Sequence, residues 1–170
     1  MGAAGGGTAS DPATAALAQG QQAPLVDDFG GEVGVGQTRT IRVPWDAASV
    51  TKVRRAVVTD LRARGVGSEV VDEAEIVVSE LVANALRHAK PLGDGAVRVH
   101  WKVKDPVVEV EVTDGGGPTS PRPAPPSVWG QAGRGLRIVR SLAHEWGVQD
   151  ERSGCTVWVA LGGPSRRRTG

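Results

Sequence analysis

Valines at alternate positions dominate the middle of the chain. Val97, Val99, Trp101 and Val103 alternate with Arg98, His100, Lys102 and Lys104. After Asp105-Pro106 the pattern resumes, with Val108, Val110 and Val112 set against Glu109, Glu111 and Thr113. A period of two predicts a pair of strands, each with one covered face and one wet face. A turn centred on Asp105-Pro106 places Lys102 opposite Glu109 and His100 opposite Glu111 in an antiparallel pair. Opposite charges so placed contribute about 0.2–1 kcal/mol each. His100 is thereby explained as a solvated sheet residue, without chemistry.

Upstream the period lengthens. Thr38 to Val43 predicts a short strand that stops at Pro44. Asp46 then caps a helix in which Val50, Val53, Val57 and Leu61 recur at three- and four-residue steps, and Gly65 ends it. Ser68 is the expected N-cap of a second helix, with Glu69, Asp72 and Glu73 near its positive end. Val70, Ala74, Val77 and Leu81 form its apolar stripe, and it runs to about Ala89, ahead of Pro91.

Downstream, a loop from Asp114 to Ala132 holds five prolines. Leu136, Val139, Leu142 and Ala143 predict a third helix ending near Trp146-Gly147, followed by a strand around Val148. Cys155, Val157, Val159 and Leu161 form a final alternating strand. A doubly wound parallel sheet would show continuous apolar strands in place of this alternation. The expected architecture is a two-layer α/β sandwich, a mixed and mostly antiparallel sheet with helices on one face.

The length of 170 residues suits one domain. Residues 1–38, rich in Ala, Gly, Gln, Thr and Ser, have no period and are expected to form a disordered N-terminal tail. Residues 162–170, with Arg166-Arg167-Arg168, are expected to be a basic C-terminal tail, which leaves 39–161 as the domain. The formal charge of +1 gives no drive toward nucleic acid or an anionic membrane, and neither is an expected partner. No apolar run approaches a membrane span, and Met1 to Gly20 lacks the regions of a signal peptide. Cys155 is the single cysteine, so an intramolecular disulfide and a cysteine-built zinc site are excluded. A cytoplasmic protein is expected.

The chemistry concentrates on the second helix and the glycine clusters. Glu80, Asn84 and His88 stand at i, i+4 and i+8, on one helix face, with Arg87 adjacent. Such a face is either plainly solvated or part of a metal–phosphate site. Asn supplies a neutral oxygen to a hard cation such as Mg²⁺, phosphates supply the remaining ligands, and a Glu one turn away can position or deprotonate a hydroxyl. Asp114-Gly115-Gly116-Gly117 follows a strand end, where a carboxylate can accept from an exocyclic amine and glycines let backbone approach a flat ring. Gly133-Arg134-Gly135-Leu136 opens the third helix, where free N–H groups favour phosphate.

In this order the segments resemble a known family. E-L-V-A-N-A-L-R-H-A (80–89) looks like the N box of the GHKL, or Bergerat-fold, ATP-binding proteins. V-T-D-G-G-G (112–117) and G-R-G-L (133–136) resemble their two glycine boxes, and G-C-T-V-W (154–158) is similar to the Gly-x-Thr that closes their adenine pocket. The resemblance spans residues 39–161, and size and wording look most like the anti-sigma-factor-type serine/threonine kinases of bacteria.

The resemblance implies a role for each matching residue. Glu80 is the expected catalytic base, and Asn84 the expected ligand of a Mg²⁺ that bridges the ATP phosphates. Arg87 matches a basic position near phosphate. Asp114 is expected to bind the adenine amino group, supported by Thr156, while Gly116 lets the first glycine turn pass close to the base. Gly133, Arg134, Gly135 and Leu136 form the expected phosphate-binding start of the third helix, with 118–132 as an ATP lid. His88 fits the wording too and is read as a packing or helix-ordering residue. The implied activity is phosphorylation of an antagonist (anti-anti-sigma-like) protein and sequestration of a sigma factor or similar regulator, in a possible homodimer. The alternative is a nucleotide-gated binding module with little transfer.

Other ATPases of this superfamily fit less well. A histidine kinase needs a phospho-accepting His on a helix pair, and His88, His100 and His144 are all placed elsewhere. Gyrase-like ATPases need a second domain, for which this length leaves no room. One departure from the family pattern stands out. Pro118 occupies the place where Asp-x-Gly-x-Gly would put glycine. Proline fixes φ and removes an N–H, so the lid hinge differs from the usual one.

Overall fold

A computed structural model describes residue 27, residues 29–117 and residues 134–163 of the chain. The expectations for the first part of the N-terminal tail, the proline-rich lid with Pro118, Gly133, and residues 164–170 lie outside these. Strand β1 (Thr38–Pro44) leads into helices α1 (Ala48–Ala63) and α2 (Ser68–His88). Strands β2 (Ala96–Lys104) and β3 (Val107–Asp114) follow, and after helix α3 (Arg134–Leu142) come β4 (Glu145–Glu151) and β5 (Gly154–Leu161). The sheet order is β1-β2-β3-β5-β4, and each neighbouring pair is antiparallel. The two-layer sandwich is as expected, with one sheet face under the helices, but among the described strands the sheet is wholly antiparallel and not mixed. No helix among the described residues is long and apolar enough to cross a membrane.

The strand alternation sorts side chains as the sequence implies. Val97, Val99 and Trp101 of β2 and Val108, Val110 and Val112 of β3 are buried in the core with Val77, Val78, Leu81 and Val82 of α2. On the opposite face, Lys102 pairs with Glu109 and His100 with Glu111. His100 also bonds to Thr40 through its ring Nδ1 (2.7 Å), which satisfies it within the sheet.

Local details differ from the sequence reading. Helix α2 is N-capped by Gly67, with Ser68 as its first helical residue. Asp46 does accept the Ala48 N–H (2.8 Å), one residue before the Ala47 N-cap. Trp146 and Gly147 belong to β4, not to a helix end. Trp146 pairs with Val159 and packs against the core, which a strand start allows and a continuing helix would not.

The tail expectation needs correction for its last part. Val33 is buried, and the Gly34 N–H donates to Asp60 Oδ1 at 2.7 Å. Asp60, in α1, is fully buried and also accepts from Arg64 Nε (2.6 Å) and Trp101 Nε1 (2.6 Å). Arg39 lies over the Trp101 ring at 5.6 Å and ion-pairs with Asp27 at 2.6 Å. A buried carboxylate needs donors, and the stretch before β1 supplies one of them, the Gly34 N–H. That is what ties the stretch down.

Candidate functional site

The site is organised around the exposed edge of α2. Glu80 and Asn84 are half-buried, while Arg87 and His88 are exposed. Glu80 and Asn84 are separated by about 6 Å along the helix axis, at 1.5 Å per residue. The Asn84 side chain makes no hydrogen bond to a described residue, so its oxygen is free to act as a ligand.

At its C-terminal end α2 is tied to the first glycine turn. The Lys90 N–H donates to the Gly116 carbonyl (3.1 Å), and the Gly115 N–H to the Lys90 carbonyl (2.7 Å). A Cβ on Gly115 would run into the Pro91 carbonyl and stand 2.9 Å from that of Lys90. Gly116 has φ of +82°, a left-handed conformation that side chains disfavour. Both glycines are therefore required, although the sequence reading singled out only Gly116. The triple-glycine run was the available signal for Gly115.

Asp114 sits at the end of β3, on the face toward the helices. It is 8 % exposed, and its Oδ1 accepts the Gly116 N–H at 2.7 Å. Burial pushes its carboxyl above the ordinary value, and the Gly116 N–H offsets part of that rise. A buried carboxylate with this little support is suited to accept a further hydrogen bond.

The structure does not bring Thr156 to Asp114. Asp114 pairs with Cys155, and Thr156 with Thr113. Directly opposed residues share a sheet face, and a one-residue offset changes the face. The Thr156 hydroxyl accordingly bonds the Thr113 hydroxyl at 2.8 Å on the outer face, where Arg98 Nη2 also donates to Thr113 (3.2 Å). Cys155 is the residue beside Asp114, and sequence reasoning missed it. Its buried thiol is pushed up to about 11 by burial and the nearby Asp114 and Asp150 charges, so it is a neutral group at physiological pH.

At the other end of the site, Glu80 meets the first turn of α3. Its carboxylate lies against Gly135. Leu136, expected at the phosphates, sends its side chain into the core, and only its backbone is left to serve a ligand. Arg134 starts α3, and its side chain lies outside the described residues. Among the described residues no three His, Cys, Asp or Glu side chains cluster to hold a metal. A cation here would share its coordination with a bound ligand, as Mg²⁺ does in phosphate sites.

A family model described as the histidine kinase-like ATPase domain matches residues 43–161. The crystal structure of the RsbU and RsbW domains of Rv1364c from Mycobacterium tuberculosis is similar in fold, with a TM-score of 0.57 and 19 % identity. The match covers 74 % of this chain and 32 % of that one, so the chain spans about a third of that structure's length. A histidine kinase domain from Erythrobacter litoralis EL346 blue-light activated histidine kinase matches with a TM-score of 0.43 and 23 % identity, over 75 % of this chain and 69 % of that one. No curated protein matches the chain.

Proposed function

Because the chain belongs to the histidine kinase-like ATPase domain family, we propose that it binds Mg-ATP and transfers the γ-phosphoryl group to a Ser or Thr of a partner protein. The observation that carries this reading is the spread of roles along α2. Its C-terminal exit is bonded to the turn that holds Asp114, and its middle turn sets Glu80 against the start of α3.

The residues present fit Mg-ATP. Asp114 offers a buried, under-supported carboxylate to the adenine amino group, and Gly115 and Gly116 keep the adjoining backbone free of side chains. Asn84 would hold Mg²⁺, and Gly135 lies at the backbone that would face phosphate. When bound, Mg²⁺ neutralises charge on the phosphates. Glu80 would take the proton of the acceptor hydroxyl as that oxygen attacks. Arg87, exposed beside Asn84, supplies positive charge at the same edge.

The motif resemblance supports the finer assignment to the anti-sigma type. Its partners would then be an antagonist protein as substrate and a sigma factor or similar regulator as the sequestered target. Pro118 favours a second reading, a nucleotide-gated binding module, because proline there lacks the N–H and the backbone freedom of the glycine in the family pattern. The test is a calorimetric titration with ATP and ADP, with and without Mg²⁺, beside radiolabelled transfer to candidate partners. Binding with transfer supports the kinase, and tight Mg-ATP binding without transfer supports the module. No binding at millimolar nucleotide ends both.

Asp114→Asn is expected to weaken ATP binding by about 1–3 kcal/mol, the range for a buried or charged hydrogen bond. The pH dependence has a definite sign. The free carboxyl is raised above 3.8, and an amine donor favours its ionised form. Wild-type ATP affinity should therefore decline as pH falls toward that raised value, and the Asn variant should lack this component. Equal affinities for the two proteins across the pH series would show that Asp114 does not recognise the base.

A further inference from the structure

Glycine at position 135 is unexpected on helix propensity alone. It lies within α3, where alanine is the better helix former. The contact across the helices explains it. A Cβ built on Gly135 would overlap Glu80 Oε2 and stand 3.0 Å from Glu80 Cδ. Neither helix can readily yield. Leu136 and Val139 anchor α3 in the core, and Val77, Val78, Leu81 and Val82 anchor α2 on either side of Glu80. Any side chain at 135 must therefore turn the Glu80 carboxylate out of its place.

We propose that Gly135 is a positioning residue for Glu80: its bare Cα is the seat that holds the carboxylate at the first turn of α3. This rests on the reading of Glu80 as the base. The consequence is chemical as well as steric. The first turn of a helix carries unpaired N–H groups and the positive end of its dipole. Seating the carboxylate there puts the proton acceptor next to the backbone that would face the transferred phosphoryl group. Proton removal and phosphate binding would then be held in register by one close contact, with no hydrogen-bonded intermediary.

A double-mutant cycle on the full chain tests this, using Gly135→Ala and Glu80→Asp singly and together. Alanine in an uncrowded helix raises stability over glycine. Gly135→Ala in the wild-type background should raise Tm by less than this, because the end of Glu80 must turn aside. In the Glu80→Asp background, where the carboxylate is one methylene shorter, the same change should raise Tm in full. Gly135→Ala alone should also lower kcat for phosphotransfer by at least about tenfold with KM for ATP within about threefold, the pattern of a lost transition-state interaction. Alanine keeps the backbone N–H, so a simple loss of phosphate binding would appear in KM.

A rise in Tm of similar size in both backgrounds would overturn the proposal. So would a larger rise in the Glu80→Asp background without a loss of kcat, because the contact would then be packing only. A large rise in KM at unchanged kcat would show that Gly135 acts on the nucleotide and overturn it likewise. Wild-type binding and transfer are measured first. If the wild type transfers no phosphate, the functional reading fails and the positioning role with it, while the Tm cycle, which needs no nucleotide, still decides whether the contact exists.

Discussion

Glu80→Gln is expected to reduce phosphotransfer by about 10²–10⁴, the usual share of a positioned general base. ATP affinity should stay within a few-fold. Gln keeps the length of the side chain and its helix propensity but cannot accept the proton, and ground-state binding does not call on that proton transfer. Asn84→Ala should behave differently. It removes a neutral oxygen that has no hydrogen-bond partner among the described residues, so Mg-dependent ATP binding itself should weaken. The two variants separate the base from the metal ligand when binding and transfer are measured on the same preparations. Undiminished transfer by Glu80→Gln would exclude Glu80 as the base, and unchanged Mg-ATP binding by Asn84→Ala would exclude the metal role.

Asp60→Asn should destabilise the fold by about 3–5 kcal/mol, the cost of breaking a buried charge pair from one side. Asp60 is fully buried, and the Arg64 and Arg39 side chains near it are 5 % and 8 % exposed. Losing the carboxylate leaves the Arg64 guanidinium without its counter-charge, while Arg39 keeps its closer pair with Asp27. Burial alone would raise the Asp60 carboxyl, but donation from Arg64, Gly34 and Trp101 outweighs it and holds the group below 3.8. A depressed carboxyl contributes stability that is complete above the unfolded value and is lost as pH falls through the folded one. The stability gap between wild type and variant should thus be full near neutrality and close only below pH 3.8. Urea unfolding at several pH values measures it, and coincident midpoints near neutrality would contradict the network's importance.

The parts legible in the sequence are those set by local period. The register of β2 against β3 followed from two alternating runs and a short turn, and it placed His100 and Lys102 correctly against Glu111 and Glu109. The α2 face with Glu80 and Asn84 was equally legible, because helical spacing alone aligns it. What depended on long-range pairing was not. Whether Cys155 or Thr156 faces Asp114 is decided by how β5 registers on β3, and a slip of one residue exchanges the two. Asp60 looks like a surface charge until Trp101 and Gly34 arrive from distant segments. Trp146 and Gly147 were misplaced because a stripe of three or four apolar residues does not say where a helix gives way to a strand.

The order β1-β2-β3-β5-β4 bears on how the chain emerges from the ribosome. When β3 has been synthesised, β2 can pair with it and β1 with β2, but its other edge stays open until β5 inserts between β3 and β4. For that interval a valine-rich strand displays unpaired backbone, the condition under which strands capture the wrong partner. Glu109 and Glu111, on the solvent side of β3, put like charges on any second copy that tries to add there in register. Translation must continue through α3 and β4 before the wall behind Asp114 closes. A nucleotide that uses Asp114, as proposed, would therefore find this wall only after β5 has been made.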